Sequence, residues 1–422
     1  MPAVPRRDYL SAPEALQYLD IRPQTLYAYV SRGLIRSVAQ PGSKMRLYLL
    51  EDVRRVAARS AARSGHGAVA ASAMNWGEPI ITSLITEIRE EGPSYRGHSA
   101  ASLCASGAGF EAVAELLWTG ELSGRPVRWR LSGHGLPIAL AGGIEGGSGV
   151  VLSSATLLES FAAIVLQLGV SRGSVEARVQ RGQTLAAARQ LMQTLVGCCG
   201  LAGEARTMRP MRLGDTVVAG LMRALCIEPE PGNIEAIAAI LVLLADHELS
   251  PGTTSARVVA SGGASLHACI AGALCASSGV EVGRNYDYVD EFLGQARSGR
   301  ALIKRATRLL QSGHRVPGFQ HPLYPKGDPR ALYLLSIARR RADQTPQSRA
   351  VLEFVDLMRT QASLFPRQEI GVVVLTRMMG LQAPAPTALF VISRLAGWVA
   401  HVLEQRERGT LLRPRARFAS DA

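Results

Sequence analysis

Apolar residues recur at helical spacing along most of this chain. From residue 80 onward they repeat at positions i, i+3 and i+4, and segments that alternate apolar and polar residues are few. This periodicity predicts a mainly α-helical protein with a large core. The clearest predicted helices cover 234–247, 266–275, 331–340, 350–359 and 387–404.

The most hydrophobic stretch predicts a core helix and not a membrane helix. Residues 234–245 read IEAIAAILVLLA, which is too short to span a bilayer and contains Glu235. The first residues, MPAVPRRDYL, lack the apolar region of a secretory signal. The six cysteines lie in Ala-rich contexts without paired metal-ligand spacing, so we expect reduced, buried thiols and no metal site. Together these features predict a cytoplasmic protein with no membrane partner.

The N-terminal part of the chain, 1–60, carries a different pattern. Ser11 and Glu14 have the spacing of a capping box at the start of a short helix. A turn at 20–23 leads to a second predicted helix, 24–32, which stops at Gly33. After a loop at 41–44 comes a strand-like run, RLYLL. The Ala-, Ser- and Gly-rich composition that follows predicts a flexible linker at 61–79 between a domain at 1–60 and a domain at 80–422.

Net charge is a weak guide to partners, whereas its local distribution is informative. The chain has a formal charge of +13, but only three of its 47 basic residues are lysines. Such an Arg-rich, Lys-poor composition is also typical of a GC-rich coding sequence. The segment 1–65 carries 11 basic and 5 acidic side chains, which gives this part a local charge of +6. A nucleic-acid partner is therefore considered for the N-terminal part alone.

The run PQTLYAYVSRGLI and the later GSKMRLYLLEDV resemble the winged helix-turn-helix domain of MerR-type regulators. The resemblance implies a second helix that enters the major groove of double-stranded DNA, and wing residues that contact phosphates. Domains of this size also serve as protein docking modules, so both roles stay open. The candidate DNA contacts are Arg22, Gln24, Tyr27, Tyr29, Arg32, Lys44 and Arg46.

Three later motifs resemble the citrate synthase family. They read ADHELSPGTTSARVVAS, VPGFQHPLYPKGDPRA and ISRLAGWVAHVLEQ, and they occur in the family's order. Near residue 95, YRGHSAASLCASGAGFEAVAELLWTGEL is similar to a further family motif. The resemblance covers about 80–418. It implies a helical large domain, a smaller helical domain at roughly 225–330, and assembly as a homodimer or as a heteromer with a homologous subunit.

The family's reaction condenses an acyl-CoA with an oxo acid, so the resemblance implies substrates and site residues. It implies an oxaloacetate- or citrate-type dicarboxylate ligand, acetyl-CoA or a related acyl-CoA as substrate, and no permanently bound cofactor. By position, His321 polarises the keto oxygen and Glu369 is the base. The implied dicarboxylate ligands are His247, Arg330, Arg394 and, from the partner subunit of a dimer, the residue equivalent to Arg413.

One position departs from the family pattern. The family stabilises the acyl-CoA enolate with a histidine. A gap-free count from the run ACIA at 268–271, which is similar to a run in the family, places Val282 at that position. Valine has no side-chain hydrogen-bond donor. Glu369 stands where the family has an aspartate, so the carboxylate is one methylene longer. Nearby Glu281, Arg284 and His267 do not occupy the histidine's position.

Two functions remain open at this level. The first is an acyl-CoA/oxo-acid condensing transferase with an altered active site, working alone or with a second homologous subunit. The second is a non-catalytic, dicarboxylate-sensing regulator whose N-terminal domain binds DNA. The retained arginines favour ligand binding under both hypotheses. The loss of the enolate histidine favours the regulator, whereas the family's usual role favours the enzyme.

Overall fold

The N-terminal residues fold as helices and short strands where local signals place them. In the computed structural model these elements are β1 (Tyr9–Ser11), α1 (Ala12–Leu19), α2 (Pro23–Ser31), β2 (Ser37–Ala39), β3 (Arg46–Leu49) and α3 (Leu50–Ala61). The predicted capping box is present, because the backbone N–H of Ser11 donates to Glu14 and the Ser11 hydroxyl accepts from the Glu14 backbone. Gly33, with φ of 71°, adopts the left-handed conformation expected just after a helix.

These elements, together termed the N-terminal module (described residues of 8–61), surround a small core. Strand β3 lies between β1 and β2 and pairs antiparallel with both. Arg36 donates three hydrogen bonds to the buried Asp52 carboxylate and so ties the start of β2 to α3. Burial opposes ionisation of Asp52, but Arg36 outweighs it, and the pKa of Asp52 lies below its usual value. The core side chains are Ala15, Leu26, Ile35, Tyr48, Val53 and Val56.

The structure describes residues 8–39, 45–61, 81–131, 154–170, 181–203, 207–279, 281–341 and 343–414. Of these described residues, 61% are helical, which confirms the predicted mainly helical class. The chain forms two compact units. The smaller unit contains the described residues of Met1–Thr82, Glu291–Leu332 and Ala342–Ile370. The larger unit contains those of Ser83–Asp290, Tyr333–Arg341 and Gly371–Ala422. The predicted linker at 61–79 lies, apart from Ala61, outside the described residues.

The remaining elements are mostly helices. They are β4 (Thr86–Arg89), β5 (Gly92–Tyr95), β6 (His98–Ser99), α4 (Ala100–Ala105), α5 (Phe110–Thr119), α6 (Ser154–Val170), α7 (Arg181–Cys198), a 3-10 turn (Cys199–Ala202), α8 (Val217–Ala224), α9 (Pro231–Leu243), α10 (Pro251–Ser261), α11 (Leu266–Ser277), α12 (Asn285–Leu293), α13 (Gly299–Gln311), α14 (Pro329–Arg340), α15 (Pro346–Ala362), α16 (Gln368–Met378) and α17 (Ala385–Arg408).

Within the smaller unit, the N-terminal module is accompanied by the helix pair α13 and α15. These two helices pack on each other, and Glu353 of α15 accepts a hydrogen bond of 2.7 Å from the backbone N–H of Gly299 at the start of α13. Phe354 packs edge-on against Phe319, with ring centroids 5.4 Å apart. Phe319 belongs to the segment that precedes His321, so this packing supports the segment from the α15 side.

The core of the larger unit is built around helix α17. It packs against α5, α9, α10 and α11. Among the described residues it is the one helix long and apolar enough to cross a membrane, but its apolar stretch is entirely buried in protein. It therefore has the character of a central core helix.

Two cysteines depart from the expectation of buried thiols. Cys226 and Cys275 are exposed, whereas Cys198, Cys199 and Cys269 are buried. Cys226 lies just beyond the end of α8 with φ of 57°, and Cys275 is in the last turns of α11. The Ala-rich surroundings do not distinguish a helix end from a buried face, which explains the error.

Candidate functional site

In the smaller unit, His321 is held by a backbone pairing. Phe319 forms an antiparallel bridge with Pro366. On either side of it, the N–H of Gln320 donates to the carbonyl of Phe365 at 2.9 Å, and the N–H of Arg367 donates to the carbonyl of Gly318 at 2.7 Å. These bonds fix the backbone immediately before the histidine.

The His321 side chain has a defined tautomer. Its Nδ1 accepts a hydrogen bond of 3.1 Å from the backbone N–H of Leu323, so in the neutral ring the proton is on Nε2. Burial and the nearby Arg330 guanidinium hold the pKa of His321 well below its usual value. A neutral imidazole that carries its proton on Nε2 is suited to donate a hydrogen bond to a keto oxygen.

The Arg330 guanidinium is hydrogen-bonded to the buried carboxylate of Asp328. Its Nε donates to Oδ1 of Asp328 at 3.0 Å, and its Nη2 donates to Oδ2 at 2.8 Å. Burial opposes ionisation of Asp328, but Arg330 outweighs it and lowers the pKa of this carboxyl group. The Arg330 guanidinium also lies 5.6 Å from the centre of the Tyr324 ring. Asp328 was missed by sequence reasoning, although its place two residues before Arg330 in the motif was a usable signal.

Glu369 is connected to the same cluster. It is buried in the first turn of α16, where the positive end of the helix dipole favours a carboxylate. Its Oε1 accepts a hydrogen bond of 2.8 Å from Nη2 of Arg367, whereas its buried Oε2 has no hydrogen-bond partner among the described residues. The preceding residue, Gln368, donates its N–H to Asp328 at 3.2 Å. The smaller unit therefore brings three sequence-predicted residues together: His321, Arg330 and Glu369.

In the larger unit, His247 comes directly after Asp246, which belongs to a buried polar network. It is 8% exposed and lies between α9 and α10, so the helix predicted for 234–247 ends four residues early, at Leu243. The adjacent Asp246 contacts Nε2 of His401 at 3.2 Å, and Nδ1 of His401 accepts a hydrogen bond of 2.9 Å from Nε of Arg257. Burial lowers the pKa of His401. Burial is also the main cause that lowers the pKa of Arg257 to about 10.

Arg394 belongs to this part of the larger unit. It is buried on α17, and its guanidinium lies 5.2 Å from the centre of the Phe390 ring. Burial opposes ionisation of Asp246, but His401 and then Arg394 outweigh it, so the pKa of Asp246 lies below its usual value. Arg394 is therefore electrostatically coupled to the residue next to His247. The places of Asp246 and Arg257 in this network were not predicted from the sequence.

Val282 lies in a tight turn between α11 and α12. It is half-buried, and its backbone N–H donates to the carbonyl of Gly279 at 3.2 Å. A Cβ on the next residue, Gly283, would meet the carbonyl oxygen of Ser277 at 2.3 Å, so the turn requires glycine there. Arg284 is directed over the Tyr288 ring at 5.4 Å, and its buried Nε has no hydrogen-bond partner in the part of the chain that the structure describes.

The other predicted residues lie outside these clusters. Arg413 is exposed, near the end of the described chain. In the N-terminal module, five candidate DNA contacts are exposed, Tyr29 packs against the module's core, and Lys44 lies outside the described residues. The exposed five are Arg22, Gln24, Tyr27, Arg32 and Arg46. Among the described ranges, no cluster of three His, Cys, Asp or Glu side chains could hold a metal ion.

Comparison with known proteins matches the chain to one family. The model of the citrate synthase C-terminal domain matches residues 74–415. A putative citrate synthase 2 of Mycobacterium tuberculosis is 34% identical over 219 residues, which are 49% of this chain and 58% of that protein. Citrate synthase 2 of Bacillus subtilis is 30% identical over 197 residues, 45% of this chain and 52% of the relative. The matched stretch thus spans about half the length of these relatives.

A solved structure agrees in fold over a longer stretch. Citrate synthase from Thermoplasma acidophilum, in a ternary complex with carboxymethyl coenzyme A and oxaloacetate, superposes with a TM-score of 0.71 at 21% identity. The match covers 82% of this chain and 94% of that one. The length of the family-model match, supported by this shared fold, establishes that the chain belongs to the citrate synthase family.

Proposed function

We propose that this protein binds an oxaloacetate-type dicarboxylate and acts as an acyl-CoA condensing transferase with an altered active site. The observation that carries the proposal is the neutral, Nε2-protonated imidazole of His321 beside the Arg330–Asp328 pair. A keto acid needs such a donor for its carbonyl oxygen and a cation for its carboxylate. The family resemblance adds His247 and Arg394 as further proposed ligands, and Arg413 is proposed to act across a dimer.

Glu369 is the proposed base. It is buried, its Oε1 is fixed by Arg367, and its Oε2 has no hydrogen-bond partner in the described ranges, so one oxygen is available to accept a proton. Val282 cannot donate a hydrogen bond to an enolate. The loss of one such donor costs on the order of 10²–10³ in rate, and a base displaced by about 1 Å costs on the order of 10². The proposed enzyme is therefore slow with acetyl-CoA unless another group, or a second homologous subunit, replaces the donor.

Thiol release from acetyl-CoA, measured with oxaloacetate on the purified chain alone, tests this function. We expect slow release that depends on oxaloacetate and is lost in Glu369→Gln. Oxaloacetate binding without any release, at high protein concentration and with a range of acyl-CoA substrates, would contradict the enzymatic part. Addition of a homologous active citrate synthase subunit in the same assay tests the heteromer.

A second candidate is a dicarboxylate-sensing DNA-binding regulator. It is favoured by the exposed Arg22 and Gln24 at the start of α2, the exposed Tyr27 in its middle and the exposed Arg32 at its end. Arg46 lies on β3, with its Nε bonded to the Ser37 hydroxyl at 3.0 Å. Basic and polar side chains on a short helix and on a neighbouring strand suit a winged helix-turn-helix contact with a groove and phosphates. A gel-shift titration in the presence and absence of oxaloacetate separates the two functions.

A further inference from the structure

The N-terminal module is hydrogen-bonded to a segment that is distant from it in the sequence. The N–H groups of Asp8 and Tyr9 both donate to the carbonyl of Gly313, at 2.7 and 3.2 Å. The N–H of Arg315 donates to the Asp8 carboxylate at 3.0 Å, and its Nη2 donates to Glu51 at 2.8 Å. These contacts, together with the Tyr9 side-chain bond described next, are termed the junction. They join the start of β1 and the start of α3 to Gly313 and Arg315, which precede His321 in the chain.

The junction also includes the residue next to His321. The Tyr9 hydroxyl donates a hydrogen bond to Oε1 of Gln320. Tyr9 is 2% exposed, and burial raises its pKa, so the phenol keeps its proton and remains a donor. Gln320 immediately precedes His321, so a change in its backbone would redirect the imidazole.

Gln320 has an unusual backbone that requires support from its neighbours. Its φ of 60° lies in the left-handed region, which is disfavoured for a residue with a Cβ. One support is the hydrogen bond from its N–H to Phe365 at 2.9 Å. The other is the side-chain bond from Tyr9. Such a conformation persists where the surrounding structure determines it from more than one side.

We propose that Tyr9 is a positioning residue of the oxo-acid site, which holds Gln320 and thereby sets the orientation of His321. The identity of the ligand rests on the function proposed above, whereas the positioning of His321 does not. Tyr9 lies before residue 74, where the match to the family model begins. In this proposal the N-terminal module supports the orientation of His321 within the smaller unit, in addition to any role in binding a partner.

The first test observes His321 directly, without a ligand. The full-length protein is labelled with ¹³C at histidine Cε1, and the His321 resonance is identified as the one that is lost in His321→Gln. Tyr9→Phe keeps the ring and removes only the hydroxyl. We expect it to shift or broaden the His321 resonance and to raise the midpoint of its titration towards the ordinary histidine value. Tyr48→Phe, at a second buried tyrosine in the core of the module, is the matched control and leaves the resonance unchanged. An unchanged His321 resonance in Tyr9→Phe would overturn the proposal.

The second test measures affinity. With oxaloacetate in a calorimeter, Tyr9→Phe should raise the dissociation constant about 3- to 10-fold, the effect of one hydrogen bond. Gln320→Ala should have a similar effect, and the double variant should be no worse than either single variant because both remove the same contact. An equal loss of affinity in Tyr48→Phe would indicate a general loss of packing and count against positioning. If the wild type does not bind oxaloacetate, the proposed function fails, and the His321 resonance still decides the role of Tyr9.

Discussion

Asp328 and Arg330 form a two-bond ion pair in which both residues are almost completely buried, at 0% and 3% exposure. Asp328 occupies the Nε–Nη2 edge of the guanidinium, so a dicarboxylate that contacts Arg330 does so from the other side of the group. The same carboxylate accepts the N–H of Gln368 at the start of α16. A single buried aspartate thus orients the proposed ligand arginine and anchors the helix that carries Glu369.

Removing the charge of Asp328 should destabilise the protein strongly. Asp328→Asn leaves the Arg330 cation buried without its counter-charge, and breaking a buried pair in this way costs about 3–5 kcal/mol. Urea unfolding of the wild type and the variant measures the difference. Glu235→Gln is the matched control, because Glu235 pairs with Arg340 at 2.8 Å but both side chains are more than half exposed. That change should cost less than about 1 kcal/mol, and similar losses in the two variants would contradict the structural role of Asp328.

The stability of the protein should decrease as the pH falls below the ordinary pKa of histidine. The pKa of His321 is depressed by burial first and then by Arg330, whereas Asp328 acts in the opposite direction; Arg367 and Arg36 add to the depression. Since the folded-state pKa is below the unfolded value, the unfolded chain binds more protons between the two values. The free energy of unfolding therefore falls from about pH 6.5 downwards, by up to about 1.4 kcal/mol per pH unit for this residue. His321→Gln should reduce that slope between about pH 6.5 and 5.5, and an identical slope in both proteins would be inconsistent with a neutral buried imidazole.

A dicarboxylate should raise the melting temperature. At about 100 times its dissociation constant, a ligand that binds only the folded state adds about 2.7 kcal/mol. Oxaloacetate and citrate are the compounds to measure, by thermal shift. Arg394→Ala should remove the shift, whereas Arg340→Ala, which removes an exposed arginine paired with Glu235, should retain it. No stabilisation of the wild type by any dicarboxylate would reject the ligand assignment.

The sequence predicts the helices better than it predicts the contacts between distant residues. The predicted helices 266–275 and 387–404 correspond to Leu266–Ser277 and Ala385–Arg408, because apolar periodicity reports a buried helix face directly. The helix predicted for 234–247 was too long, since the apolar run continues past the end of the helix into the loop that carries His247. The capping box at Ser11 was predictable from the local spacing of Ser11 and Glu14.

The contacts that orient the site residues carry no local signal. The Tyr9–Gln320 hydrogen bond joins residues 311 positions apart, and the His401–Asp246 contact joins residues 155 positions apart. Resemblance to a family supplied the candidate residues but not these supports. In particular, nothing in the composition or spacing of the N-terminal part of the chain indicates that Tyr9 contacts the residue before His321.

Restoring the family's residues should raise condensation of acetyl-CoA with oxaloacetate. Val282→His supplies a donor for the enolate, and Glu369→Asp shortens the base by one methylene. Gly283 fixes the conformation of this turn, so the backbone that would carry a histidine at position 282 is constrained. We expect the rate of the double variant to exceed that of the wild type by on the order of 10²- to 10³-fold, the usual effect of one such donor. Initial rates of thiol release measure this, with Glu281→His as a control that places a histidine one residue away. Wild-type rates typical of an efficient enzyme would mean that another group already supplies the donor.

Binding of DNA by the N-terminal module should be strongly dependent on salt, because phosphate contacts release condensed counterions. Arg32→Ala and Arg46→Ala remove exposed cations from the end of α2 and from β3, and each should weaken binding and reduce the salt slope by roughly one. Arg340→Ala, at an exposed arginine of the larger unit, is the control for a non-specific loss of charge. Fluorescence titrations with double-stranded DNA at several salt concentrations measure both effects.

A regulator requires in addition that oxaloacetate change DNA affinity, and linkage then requires that DNA change oxaloacetate affinity by the same factor. DNA affinity that is indifferent to saturating oxaloacetate would reject the sensor, and no association at low salt would reject DNA as a partner of the module.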